Sequence, residues 1–208
     1  PSVDTQAAAD SPQRSAQMLH QLVEQADKNI LVESAYLILG DDQLDILRQI
    51  RARGVRVSAL TNSLASNDLT TNHAGYARRR GAMLANGAEL YELRPDAAGC
   101  SSWIEMPGFC NNGAVGLYIG SFNINLRSIY LNSETVLVIH SPQLAERLAQ
   151  DIEAAMAPEN SWRVTRDADG QLLWSAGEDQ LWTHEPATGF WRRFKSGLFS
   201  LLPMEKYL

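Results

Sequence analysis

Short apolar runs alternate with stretches of helical period along this chain, and that alternation narrows its fold more than any other feature. Asn29–Ser34 (NILVES), Val55–Leu60 (VRVSAL) and Ala88–Leu93 (AELYEL) have the length and apolar content of buried strands. Ser11-Pro12 opens a helix, with Ser as cap and Pro at the first position, and Leu19, Leu22, Val23 and Ala26 follow at helical spacing. Asp41–Arg53 carries Leu44, Leu47 and Ile50 on one face and stops at Gly54, and a third helix runs from His73 to Asn86 and stops at Gly87. Strand and helix in strict alternation specify an α/β fold with a mostly parallel or mixed sheet flanked by helices. Ala114–Ile119 and Glu134–His140 read as two further central strands, and Ser141-Pro142 caps a helix to about Met156. After that the pattern changes to Trp162–Arg166, an Asp169-Gly170 turn and Gln171–Ser175, which is a hairpin signal, with Gln180–Thr183 as an added strand. The expected organisation is a disordered segment at 1–10, an α/β domain at 11–158, a small β-hairpin appendage at 159–187 and an amphipathic tail at 188–208.

Composition excludes several classes. With 208 residues, 45% of them hydrophobic and 20% charged, the chain can bury a core without staples, and it is neither disordered nor fibrous. A net charge of -6 argues against a general nucleic-acid binder. Cys100 and Cys110 are too few for a disulfide scaffold. No run reaches the ~18 apolar residues of a spanning helix, so any membrane contact is expected to be peripheral. The chain begins at Pro1 rather than Met and reads as a piece of something longer.

Ligands of α/β sheets bind beyond the carboxyl ends of the strands. Three such ends carry small polar residues: Ser34-Ala35-Tyr36, Thr61-Asn62-Ser63 and Gly120-Ser121-Phe122-Asn123. The third combines a glycine that lets the backbone turn with a hydroxyl and an amide that suit a phosphate oxygen, although the same residues also serve ordinary turns. Glu134 opens the following strand, where a carboxylate can orient a histidine or remain a solvated edge residue. His73 heads a helix that also bears Arg78, Arg79 and Arg80, a run that more commonly reads as a solvated basic face. Metal-ligand spacing, a phosphate-binding glycine loop and a nucleophile elbow are all missing from the sequence. No metal and no cofactor is expected.

Several segments together carry a resemblance: RARGVRVSALTNSLASND (51–68), HAGYARRR (73–80), GAELYELRPDA (87–97), YIGSFNINLRSIYLNSE (118–134) and WRRFKSGLFSLLPMEKYL (191–208). Over nearly its whole length the chain resembles the C-terminal half of phospholipase D superfamily proteins, in the type C branch of the bacterial cardiolipin synthases. The resemblance implies a protein of two similar α/β halves meeting at one active site, each half giving H-x-K-x(4)-D and then G-S-x-N. One histidine is the nucleophile and forms a phosphohistidine, the other is general acid and then base, and the Lys and Asn groups hold the phosphate oxygens without a metal. The implied activity is phosphatidyl transfer between phospholipids of the phosphatidylglycerol kind. The implied partners are a phospholipid, a membrane surface, and an N-terminal phospholipase D-like half or a second copy, with no nucleic acid.

The sequence departs from this pattern at its chemical centre. Counted back from Gly120-Ser121, the family's His, Lys and Asp fall at Met106, Gly108 and Gly113, so no catalytic residue is intact. Ser121 and Asn123 remain as phosphate-binding residues, with Glu134, His73, Ser34 and Tyr36 in supporting positions. A compensated frameshift and a genuine loss of catalysis both account for the departure. The expectation is a half that is inactive alone, the alternative a non-catalytic phospholipid-binding module.

The tail reverses the charge of the rest. Residues 191–208 hold four basic side chains, Arg192, Arg193, Lys195 and Lys206, against Glu205, interleaved with aromatic and leucine residues. Trp191, Arg192, Arg193, Phe194 and Lys195 suit the interface of an anionic bilayer, while an amphipathic tail can equally pack on its own domain. The expected location is the cytoplasmic face of the bacterial inner membrane, or the cytoplasm.

Overall fold

A computed structural model describes residues 11–97, 118–120 and 123–200, apart from 68, 133, 135 and 140. The element order is α1 (Ser11–Gln25), β1 (Asn29–Glu33), α2 (Asp41–Ala52), β2 (Arg56–Asn62), α3 (Thr70–Ala85), β3 (Ala88–Leu93), β4 (Tyr118–Gly120), α4 (Leu126–Tyr130), β5 (Val136–Val138), α5 (Pro142–Ala155), β6 (Ser161–Arg166), β7 (Leu172–Ala176), β8 (Gln180–Trp182) and α6 (Phe190–Ser200). The expected elements are all present to within a few residues at their ends, save the part of the first central strand (114–117) that lies outside the described residues.

Six strands form one mixed sheet in the order β1-β2-β3-β6-β7-β8. β1, β2 and β3 are parallel, as their helical crossovers require, with Glu33 opposite Leu60 and Thr61 opposite Glu92. β6 runs antiparallel to β3, pairing Leu93 with Ser161. The hairpin of β6 and β7 thereby continues the central sheet. Its turn is closed by the Asp167 carboxylate, which accepts from the amides of Asp169 (3.0 Å) and Gln171 (2.8 Å), and by Gly170 at φ +82°.

One expectation is corrected. β4 and β5, placed by sequence among the central strands, pair antiparallel with each other in a separate two-stranded ladder. A short apolar run fits a sheet of any size, and periodicity does not name the partner.

The main core lies on the sheet face covered by α2 and α3. Leu44, Leu47 and Ile50 of α2 and Met83 of α3 pack there on Val57, Ala59 and Leu90. Trp162, Val164 and Trp174 extend that face across the hairpin. On the other face Ile152 and Met156 close against Leu60. α2 ends as its sequence specifies: the Gly54 amide bonds to Arg51 O (2.9 Å) and the Val55 amide to Ile50 O (3.4 Å), a closure that needs the left-handed φ of +83° at Gly54. A Cβ there would meet nothing within 4 Å, so only backbone strain opposes a side chain. Gly54→Ala is therefore expected to lower stability by ~1–2 kcal/mol, read as a lower urea midpoint with an unchanged slope.

Candidate functional site

The carboxyl ends of β1 and β2 meet the segment that follows β4. Ser34, buried just past β1, donates from its hydroxyl to Tyr36 O (3.1 Å) and accepts from the Ile124 amide (3.3 Å). The Ile38 amide returns a bond to Ile124 O (2.7 Å). Thr61, at the end of β2, donates to Ala35 O (3.3 Å). Asn123, next to Ile124 and half-buried, is held by its own backbone: its amide donates to Ser128 Oγ (3.3 Å) and its carbonyl accepts from the Asn125 amide (2.8 Å). The structure thus brings Ser34, Tyr36 and Asn123 together.

Glu134 supports this segment from behind. Its Oε1 accepts from Ser128 Oγ (2.8 Å) and from Asn132 Nδ2 (3.2 Å), and Ser128 is in turn bonded through its amide to Asn125 Oδ1 (2.8 Å). Asn125 and Ser128 are nearly fully buried. Sequence reasoning passed over both, although Asn is among the preferred N-cap residues. Asn62, also at the β2 end, is 3% exposed, and its Nδ2 has no hydrogen-bond partner among the described residues. A buried donor without an acceptor costs free energy that a ligand oxygen would return. Met106, Gly108, Gly113 and Ser121 lie outside the described residues.

His73 joins a different group. It is 1% exposed, and its Nε2 lies 2.8 Å from Glu185 Oε1. Glu185 also accepts from Arg80 (2.7 Å), Arg80 reaches Glu92 (3.1 Å), and Trp174 Nε1 donates to the other oxygen of Glu92 (2.8 Å). Arg80 lies 4.7 Å from the centre of the Trp174 ring. The arginine run is therefore no uniform solvated face: Arg80 is 6% exposed, on the buried stripe of His73, Tyr76 and Met83. Burial alone would raise the Glu185 carboxyl. The hydrogen bond and charge of His73, then Arg80, outweigh it and hold the group at about 2. No sequence pattern links Glu185 to residues more than a hundred positions earlier.

In the tail, α6 packs along α3. Arg192 turns inward and donates to Asn67 O, and Ser196 is buried. Phe190, Trp191, Phe194 and Leu198 stay more than half exposed on the opposite side, with the aromatic rings in mutual contact, and Lys195 is exposed beside them. Among the described residues no helix is long and apolar enough to cross a membrane, and no group of His, Cys, Asp and Glu could hold a metal ion.

Comparison with known proteins follows the same lines. The family described as "Cardiolipin synthase, PLD-like domain" matches residues 19–156. Cardiolipin synthase C of Escherichia coli K12 is 34% identical over 93% of this chain and 43% of its own length. An uncharacterized protein of Helicobacter pylori is 28% identical over 94% of this chain and 42% of its own length. The chain spans about two fifths of the length of these relatives. The crystal structure of phosphatidylserine synthase from Haemophilus influenzae Rd KW20 superposes with a TM-score of 0.53 at 12% identity, over 89% of this chain and 41% of that one, a likeness of fold.

The depressed Glu185 carboxyl fixes the sign of an acid effect. Its contribution to stability is complete above the unfolded value of 4.5 and is lost as pH falls towards about 2. Denaturant titrations across that window are expected to show a loss on the order of 3 kcal/mol from this group, and Glu185→Gln to remove that part of the slope.

Proposed function

Because the chain belongs to the cardiolipin synthase, PLD-like domain family, we propose that it is the C-terminal half of a phosphatidyltransferase acting on phospholipids, and that it is inactive alone. The observation that carries this reading is the bond of the Ile124 amide to Ser34 Oγ, which fixes Asn123 at the carboxyl ends of β1 and β2. Ligands bind at that place in an open α/β sheet. The amide of buried Asn62, without a partner among the described residues, supports it, since a phosphate oxygen is the kind of acceptor such a donor needs.

In this reading Ser121 and Asn123 hold the phosphate oxygens, Ser34 and Tyr36 shape the strand end, and Glu134 fixes the loop through Ser128. His73 belongs to the separate buried ion cluster with Glu185 and Arg80. The nucleophile and the acid would have to come from another polypeptide, an N-terminal phospholipase D-like half or a second copy. The second reading is a phospholipid-binding module without catalysis, favoured by Met106, Gly108 and Gly113 at the family's His, Lys and Asp positions. Both place the protein at the surface of an anionic membrane, peripherally on the cytoplasmic face, through the exposed aromatic side of α6.

Incubated alone with phosphatidylglycerol, the chain is expected to form no cardiolipin detectable by mass spectrometry, and product formation would refute its inactivity. In flotation with phosphatidylglycerol vesicles, the wild type is expected to rise with the lipid. Replacing both Trp191 and Phe194 by Ala should weaken that binding by at least ~tenfold, since each buried aromatic is worth ~1.5–3 kcal/mol. Equal flotation of the two proteins would remove α6 as the membrane face.

A further inference from the structure

An apolar cavity of about 720 Å³ opens between α1, α2 and the sheet. Leu22 and Val23 of α1, Val32 of β1, Ile46 and Ile50 of α2, and Ile124 line it. Protein interiors are packed to the density of organic crystals, with few voids larger than a water molecule. This volume is instead that of a small-molecule site, ~300–1,000 Å³, and such sites are mostly apolar with a few placed polar groups.

The placement of its polar groups gives the cavity a direction. Ser34 belongs to its wall, and the Ser34 hydroxyl is the group that binds the Ile124 amide next to Asn123. The cavity therefore reaches the candidate phosphate site at the carboxyl end of β1. Glu33 is the one carboxyl among the described lining residues, and burial pushes it up to about 8. At neutral pH that carboxyl is thus mostly protonated. An apolar chamber that reaches the proposed phosphate end matches an amphiphile, whereas a wholly polar ligand would leave the walls unused.

We propose that this cavity takes one acyl chain of a phospholipid whose phosphate lies at the Ser34–Asn123 end. The proposal rests on the phosphate reading of that end, and the experiment separates the two. Titration calorimetry would compare glycerol phosphate with lysophosphatidylglycerols bearing hexanoyl, decanoyl and myristoyl chains, each below its micelle concentration, and with the matching free fatty acids. The expected result is one-to-one binding that tightens by up to ~fourfold for each methylene entering the cavity, then levels off once the chamber is full. Ile46→Trp, which fills the chamber, should abolish the dependence on chain length and leave glycerol phosphate binding unchanged. The wild-type series decides the matter without that variant. Affinity independent of chain length, with glycerol phosphate still bound, overturns the acyl site and leaves the phosphate reading standing. Free fatty acids binding as tightly as the lysolipids, with no binding of glycerol phosphate, overturns the phosphate end.

Discussion

Arg80 lies on the sheet-facing stripe of α3 between two carboxylates, and much of the molecule depends on how its charge is met. A guanidinium only 6% exposed has given up most of its water, a loss that Coulomb attraction offsets only when geometry and hydrogen bonding are good. Here Glu92 comes from β3 and Glu185 from the turn before α6, while Trp174 of β7 holds Glu92 from the far side and lies under the guanidinium. One cation thus joins a helix, two strands and a C-terminal turn that are up to 105 positions apart in the chain. Removing Arg80 would leave the buried Glu92 carboxylate without its cation, which costs more than the pair contributes over an apolar replacement.

That cluster also explains why the hairpin is part of the sheet. A β-hairpin on its own is marginal in water. β6 gains a ladder against β3, and Trp162, Val164 and Trp174 continue the apolar face begun by Ala59 and Leu90. The two strands and their turn are legible in the sequence because alternation and Asp-Gly are local signals. Their place in the central sheet is not, because the pairing of Leu93 with Ser161 is not local and no pattern within either strand encodes it. The same limit applied to β4 and β5, whose apolar composition is evident but whose partners are not. Helix ends were the most legible features: Gly54 and Gly87 both adopt positive φ where the sequence places a stop.

For the candidate site, legibility followed the same division. Ser34, Tyr36 and Asn123 stood out because ligands of such sheets bind at strand ends, and the structure links their segments through the Ser34 hydroxyl, the Tyr36 carbonyl and the Ile124 amide. Arg80 was misread within a run of three arginines, since composition alone cannot show that position 80 shares a helical face with His73, Tyr76 and Met83 while position 78 faces solvent. Glu185 was invisible, because its role exists only when the chain returns over α3. The apolar cavity was equally hidden. Its lining residues have the ordinary spacing of core positions, and only the packed structure shows that α1 and α2 stand apart there.

The tail brings these threads together. An amphipathic helix docked by its apolar side would bury its aromatics, yet α6 docks by Arg192 and Ser196 and turns Phe190, Trp191, Phe194 and Leu198 outward. Its docking point is Asn67, whose amide binds Ser63 O (3.0 Å) at the end of β2. The exposed aromatic face is therefore tied, within a few residues, to the strand end where the Asn62 amide has no partner among the described residues. The start of α6 is bonded to Asn67 through Arg192, and the turn before it is bonded to α3 through Glu185. On the proposed membrane reading, that link sets the aromatic face near the strand end proposed to hold phosphate.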